Sequence, residues 1–302
     1  MRERAWILVL PGLVAALTLL AAGDLPAEAA FPGTNGKIAF VSDRSGNDDV
    51  FTMTPGVPGT TNVTHALASD DDPAWSPDGA KIAFWSVRGG NVDVYVANAD
   101  GTRLVRVTTN PGLDVDPAWS PDGTKLVYAS VRNGNEDLYV KNADGTGGAT
   151  RLTTAAARDD APAWSPDGTR IVFVSTRSGR GDIYSIHAGG GGTVRLTLTG
   201  ARDGGPAWSP DGTKIVYWSW RSGNPDLYRM NADSSGKKRL TTSPRADEDP
   251  AWSPDGARIV FASDRARPGN FDLYRINATG GGLVRLTTGP SLELAPDWQP
   301  GS

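Results

Sequence analysis

The stretch Pro73-Ala-Trp-Ser-Pro-Asp-Gly-Ala-Lys-Ile-Ala-Phe84 decides the fold, because close copies of it return along the whole chain. Its tryptophan recurs as Trp75, Trp119, Trp164, Trp208, Trp252 and Trp298, at intervals of 44, 45, 44, 44 and 46 residues. A period of that length is what propeller blades leave in a sequence, since one small sheet cannot bury both faces until neighbours stack on it. Function is therefore expected in the assembled ring.

One copy, cut at its turns, gives the blade. Pro73 to Ser76 is predicted as a short first strand, and Pro77-Asp-Gly79 as a tight turn with proline presetting φ and glycine accepting a positive φ. Lys81 to Ser86 reads as a second strand, apolar on both faces, as expected of a sheet sandwiched between neighbours. Asp93 to Asn98 is the third strand and Leu104 to Thr108 the fourth. Arg106 on that outer strand recurs as Arg151, Arg195, Arg239 and Arg285, a charge that discourages edge-to-edge pairing. The second strand occurs six times, starting at Lys37, Lys81, Lys125, Arg170, Lys214 and Arg258, so the expected fold is an all-β, six-bladed propeller of four-stranded antiparallel blades. The first copy lacks its Pro-Ala-Trp strand, and Pro296-Asp-Trp-Gln-Pro300 supplies one at the end, so the C-terminal strand is expected to complete the first blade and close the ring.

Ahead of the repeats, Arg2 and Arg4 precede an apolar run from Trp6 to Ala22, and Ala27-Glu-Ala29 offers small residues where a signal peptidase reads. The run is shorter than the roughly 20 residues of a spanning helix, so residues 1–29 are expected to be a cleaved signal and 30–302 the propeller, periplasmic or secreted. The chain has no cysteine, which excludes disulfides, thiol catalysis and a lipid anchor on cysteine. A net charge of -4 gives no reason to expect nucleic acid or anionic membranes as partners.

Three charged positions recur in every copy. Five residues before each tryptophan stands an acid: Asp70, Asp114, Asp159, Asp203, Asp247 and Glu293. An arginine closes each second strand: Arg44, Arg88, Arg132, Arg177, Arg221 and Arg265. An aspartate opens each third strand: Asp49, Asp93, Asp137, Asp182, Asp226 and Asp272. In a four-stranded meander these positions share one rim of the ring. The arginines and third-strand aspartates are read as a structural network between blades, each guanidinium fork bridging two acids. Asp71, Asp72, Asp116, Asp160, Glu248 and Asp249 add carboxylates beyond what six arginines pair, beside the expected channel mouth. Three readings of this acidic rim stay open: a divalent cation site, with calcium the best match to several oxygen ligands, a docking surface for a basic partner, and a solvated rim doing neither.

Catalysis finds little support. His65 and His187 are the only histidines, neither recurs with a partner, and no Gly-x-Ser-x-Gly elbow occurs. Trp85, Trp218 and Trp220 break the repeat, and Trp220, just before Arg221 near the rim, could stack on a sugar or peptide ring, although packing is the expected account of it.

The repeated Trp-Ser-Pro-Asp-Gly, Ser-x-Arg-x-Gly-Asn-x-Asp-(Leu/Val)-Tyr, Asn-Ala-Asp-Gly and Arg-Leu-Thr segments resemble the WD-type repeat of the TolB propeller family, over Phe31 to Gly301. TolB itself also carries an N-terminal α/β domain, for which no residues remain here. The resemblance implies an envelope or secreted binding platform, non-enzymatic and without an obligatory cofactor, acting as a monomer on a protein or peptide partner. The alternative is a carbohydrate-binding, cell-wall-binding or lyase-type propeller using the same face.

Overall fold

The computed structural model describes residues 30–132 and 134–301. The expected signal segment, 1–29, lies outside the described residues. The rest forms six four-stranded antiparallel sheets arranged as blades of a ring. Blade two is built from Asp70–Trp75, Lys81–Ser86, Asp93–Asn98 and Val105–Arg106, innermost strand first. The second and third strands lie where the apolar pattern puts them. The outermost strands have only two residues, leaving little edge for another sheet to pair with.

The innermost strand differs from the expectation by starting three residues earlier, at the acid. In blade two Asp70 pairs Ser86 and Asp71 pairs Trp85, and the register then slips by one residue before Ala74 pairs Ala83. The same slip occurs in all six blades. The cause is the proline at position 73 and its equivalents, which cannot donate to the ladder and so sits at a bulge. The residue before each proline takes a positive φ: Asp72, Asp116, Ala161, Gly205, Asp249 and Ala295.

Ring closure follows the expected route. Glu293–Gly301 joins Thr34–Ser42, with Thr34 opposite Gly301, Ile38 opposite Trp298 and Val41 opposite Leu294. Between blades the packing repeats one device. The alanine before each tryptophan is fully buried and leaves room for the next blade's tryptophan, so Trp119 packs over Ala74 and Trp164 over Ala118. Trp208, Trp252 and Trp298 sit likewise over Ala163, Ala207 and Ala251. The sixth seat, under Trp75, is held instead by Asp297, whose carboxylate accepts the Trp75 backbone N–H at 2.7 Å.

Ala30 and Phe31 are also buried. Ala30 packs with blades five and six, where its N–H reaches the Trp208 carbonyl at 3.4 Å, and Phe31 packs with blades two and three. These blade pairs lie opposite one another, so the segment crosses the channel at the end where the inner strands finish.

Candidate functional site

The other mouth carries the recurring charges, and each blade spends them the same way. In blade two the Arg88 guanidinium meets Asp70 at 2.7 Å, its Nε donates to the Ser86 hydroxyl at 2.8 Å, and its plane lies 5.3 Å from the centres of both Phe84 and Tyr95. Arg177 and Asp159 meet at 2.9 Å and Arg265 and Asp247 at 2.6 Å, while Arg44 pairs Glu293. Arg132–Asp114 and Arg221–Asp203 are looser, at 3.8 Å. Asp114 takes hydrogen bonds from Ser130 and Asn110 instead. Burial raises the pKa of Asp70, Asp114, Asp203 and Glu293 despite these partners.

A second tier lies further out. Asp93 receives Arg106 at 2.5 Å and the Thr108 hydroxyl at 3.1 Å, and Asp137–Arg151, Asp182–Arg195, Asp226–Arg239 and Asp272–Arg285 repeat the ion pair. In blade one Asn62 replaces the arginine and donates to Asp49 at 2.9 Å.

This corrects the expected network in two respects. The pairs lie within a blade, not between blades. The strand-closing arginines take the first-strand acids, while the third-strand aspartates take the outer-strand arginines.

The acidic rim is corrected as well. Asp70, Asp71, Asp72, Asp114, Asp116, Asp159, Asp160, Asp247, Asp249 and Glu293 are all buried, and Glu248 is half-buried. They line the inner strands instead of facing solvent, because the strand extends upstream through them. The bulge brings Asp72, Asp116 and Asp249 of blades two, three and six near one another, while blades four, five and one place Ala161, Gly205 and Ala295 there. Burial pushes the Asp72 pKa well up, and the neighbouring Asp71, Asp116 and Asp249 push it further. Burial and then Glu136 raise Asp116 to about 7, against the Ala161 N–H that it accepts at 2.9 Å. Asp72 and Asp116 thus lie close together in the buried wall, where the charge of Asp116 favours the protonated form of Asp72. The Trp85 indole N–H, placed by one of the repeat-breaking tryptophans, donates to Asp72 at 2.5 Å. Among the described residues no group of three or more histidine, cysteine or acidic side chains is placed to hold a metal ion.

What solvent meets at this mouth is mainly the outer edges of arginines, with Asp43 exposed beside Arg44. The six strand-closing arginines are 18% to 27% exposed above their buried acids. Between blades four and five the face opens into a groove of about 750 Å³ lined by Arg158, Arg180, Arg202, Arg221, Asp160 and Trp220. Trp220 lies near the rim but is 40% exposed and not packed away as expected, whereas Trp85 and Trp218 are buried. His65 and His187 are exposed on different blades. The sequence reading passed over Arg158, Arg180, Arg202 and Asp297. Each breaks the repeat, which is the signal that singles them out.

Residues 22–115, 107–204 and 200–302 match the TolB beta propeller domain, PD40. No curated protein matches the chain. TolB from Acinetobacter baumannii, 26% identical, superposes with a TM-score of 0.79 over 89% of this chain and 68% of its own. A putative TolB from Agrobacterium tumefaciens, 24% identical, gives 0.69 over 89% and 99%. An oligogalacturonate lyase in complex with manganese, 18% identical, gives 0.61 over 87% and 78%, a likeness of fold alone.

Proposed function

The chain belongs to the TolB beta propeller domain family, and from that premise we propose that it is a non-enzymatic binding propeller, exported to the periplasm or secreted, that holds a protein or peptide partner at its arginine-bearing face. The observation that carries this is the inequality of the two mouths. One is crossed by the buried Ala30 and Phe31, and the other presents six partly exposed guanidinium groups around the channel. Arginine forks held over aromatic rings are already ordered, so a partner carboxylate or carbonyl meets donors that lose little freedom on binding. The exposed charge suits an acidic or amide-rich segment better than a basic one, since the acids lie beneath. The ring acts as a monomer that needs no cofactor, its free strand edges among the described residues being only two residues long.

A second reading, a carbohydrate-binding or lyase-type propeller, is favoured by one observation, the exposed indole of Trp220 on this same face. Neither of the two exposed histidines, which sit on different blades, lines that groove.

Because the chain has no cysteine, one introduced cysteine is a unique labelling site. Thr109→Cys lies in the loop leading into blade three on the arginine face, and Thr124→Cys lies in a turn on the opposite face; both positions are exposed. A bulky maleimide polymer at 109 is expected to abolish affinity capture of a partner from the native envelope or medium, and at 124 to leave it intact. Equal capture by both conjugates would overturn the proposal.

A further inference from the structure

Four departures from the repeat converge on one blade interface. The residue ahead of the first-strand acid is arginine only in blades four and five, Arg158 and Arg202, where the other blades have Leu292, Ser69, Leu113 and Ala246. Trp220 stands where the other blades have Asp43, Val87, Val131, Thr176 and Asp264. Two residues before the third-strand aspartate, five blades have asparagine, Asn47, Asn91, Asn135, Asn224 and Asn270, and blade four has Arg180.

That asparagine is a tie between blades. Asn91 donates to the Asn110 and Gly112 carbonyls at 2.9 and 3.0 Å, Asn135 to Ala155 at 2.8 Å, and Asn224 to Ser243 and Arg245 at 3.1 and 2.7 Å. Asn47 and Asn270 bond the loop leading into the next blade in the same way. In blade four the tie is gone. Arg180 is exposed and has neither a hydrogen bond nor an ion pair among the described residues. The gap left there is the 750 Å³ groove. The ring thus gives up one of its inter-blade ties and puts an unpaired cation in that place. Folding gains nothing from the exchange, and a ligand would.

We propose that the groove between blades four and five binds an oligosaccharide of uronic acids. This rests on the arginine face being a binding face and gives the groove a ligand class of its own, beside the protein or peptide partner proposed for the rest of that face. Of the four arginines in the lining, Arg158 and Arg221 already face acids, and it is the exposed Arg180, which pairs with none among the described residues, that calls for an anion. Arg158 is fixed by Glu136 and Asp160, both at 2.5 Å, and Arg202 lies 5.4 Å over the Trp218 ring, so the groove has anchored guanidinium walls while Arg180 supplies an unspent fork for a carboxylate. Trp220 is the one large apolar side chain in the lining, flanked by Gly181, Gly200 and Ala201. A flat indole bordered by residues without bulk suits the C–H face of a sugar ring, and the hydroxyls of Thr176 and Thr199 suit its alcohols. An acidic peptide fits less well, because the walls are turns and inner-strand ends with no open strand edge for its backbone and no apolar recess for its side chains.

The test is calorimetric titration of the mature protein with hexamannuronate, with cellohexaose as the neutral sugar and hexaglutamate as the acidic peptide. Hexamannuronate is expected to bind, more weakly at ~500 mM than at ~50 mM salt, and the other two are not. Trp220→Ala and Arg180→Asn are each expected to weaken binding ~tenfold or more. Arg180→Asn restores the residue of the other five blades, so its thermal midpoint should equal or exceed the wild type, which separates lost binding from lost fold. Binding of cellohexaose or hexaglutamate as tight as that of hexamannuronate, or undiminished affinity in Arg180→Asn, would overturn the proposal. If hexamannuronate fails to bind while a label at Thr109→Cys still blocks capture, the sugar class falls and the platform reading stands; the converse result separates them the other way.

Discussion

At the scale of single residues, Asp297 shows how a ring converts a small sequence difference into an electrostatic one. Every other blade has alanine before its tryptophan, and there the next blade's indole packs on a methyl group. Asp297 lies 4% exposed in that seat, with hydrogen bonds from the Trp75 and Trp298 N–H groups. Burial outweighs those bonds and lifts its pKa from 3.8 to about 7. The sign of the consequence follows from proton counting. Between these two values the folded ring keeps a proton that the unfolded chain releases, so stability is fullest below pH 4 on this group's account and is lost as pH rises to 7. Asp297→Asn removes that titration. In urea unfolding, the stability difference between pH 5 and pH 7.5 is expected to narrow by roughly 2–3 kcal/mol in the variant, and an unchanged difference would show that Asp297 is ionised in the ring. The aspartate was visible in the sequence as a departure from Pro-Ala-Trp. Its burial was not, because that depends on which blade the last strand completes and what stacks on it.

At the scale of the element, the innermost strand explains why the acids were placed on the wrong side of the surface. A run such as Asp70-Asp-Asp72 reads as a solvated loop, since charged residues are seldom buried unless paired. Here pairing is built into the register: Asp70 lies opposite Ser86, and the chain two residues beyond Ser86 supplies Arg88. The proline bulge then turns Asp72 toward its counterparts in other blades. The spacing of acid, serine and arginine was legible, but the choice of partner was not, because both arginine sets lie within reach of both aspartate sets until strand order is known. Arg88→Ala should leave the buried Asp70 carboxylate without its cation and remove the plane stacked on Phe84 and Tyr95, at a cost of about 2–4 kcal/mol in urea unfolding. Arg88→Lys, which keeps the charge and loses the fork, should fall between. A loss below ~1 kcal/mol in Arg88→Ala would mean that the pair contributes no more than an exposed one.

At the scale of the whole molecule, blade number and closure were readable because each blade restates the same constraints and the first lacks the strand that the last supplies. A regular repeat says little about where a ring acts, since what holds in every blade serves the ring itself. The departures carry the asymmetry: Ala161, Gly205 and Ala295 against Asp72, Asp116 and Asp249 in the channel wall, and Arg158, Arg180, Arg202 and Trp220 at one blade interface. Ala30 and Phe31 add a second asymmetry by crossing one mouth, and no repeat could announce that. The central claim is that binding belongs to the arginine-bearing face. Hydrogen exchange of the protein with and without its captured partner tests it most directly. The loops 87–92, 109–113, 176–181 and 220–224 are expected to exchange more slowly in the complex, with the turns 77–80, 121–124, 166–169 and 210–213 unchanged. Slowing confined to those turns would place the partner on the opposite face and contradict the account.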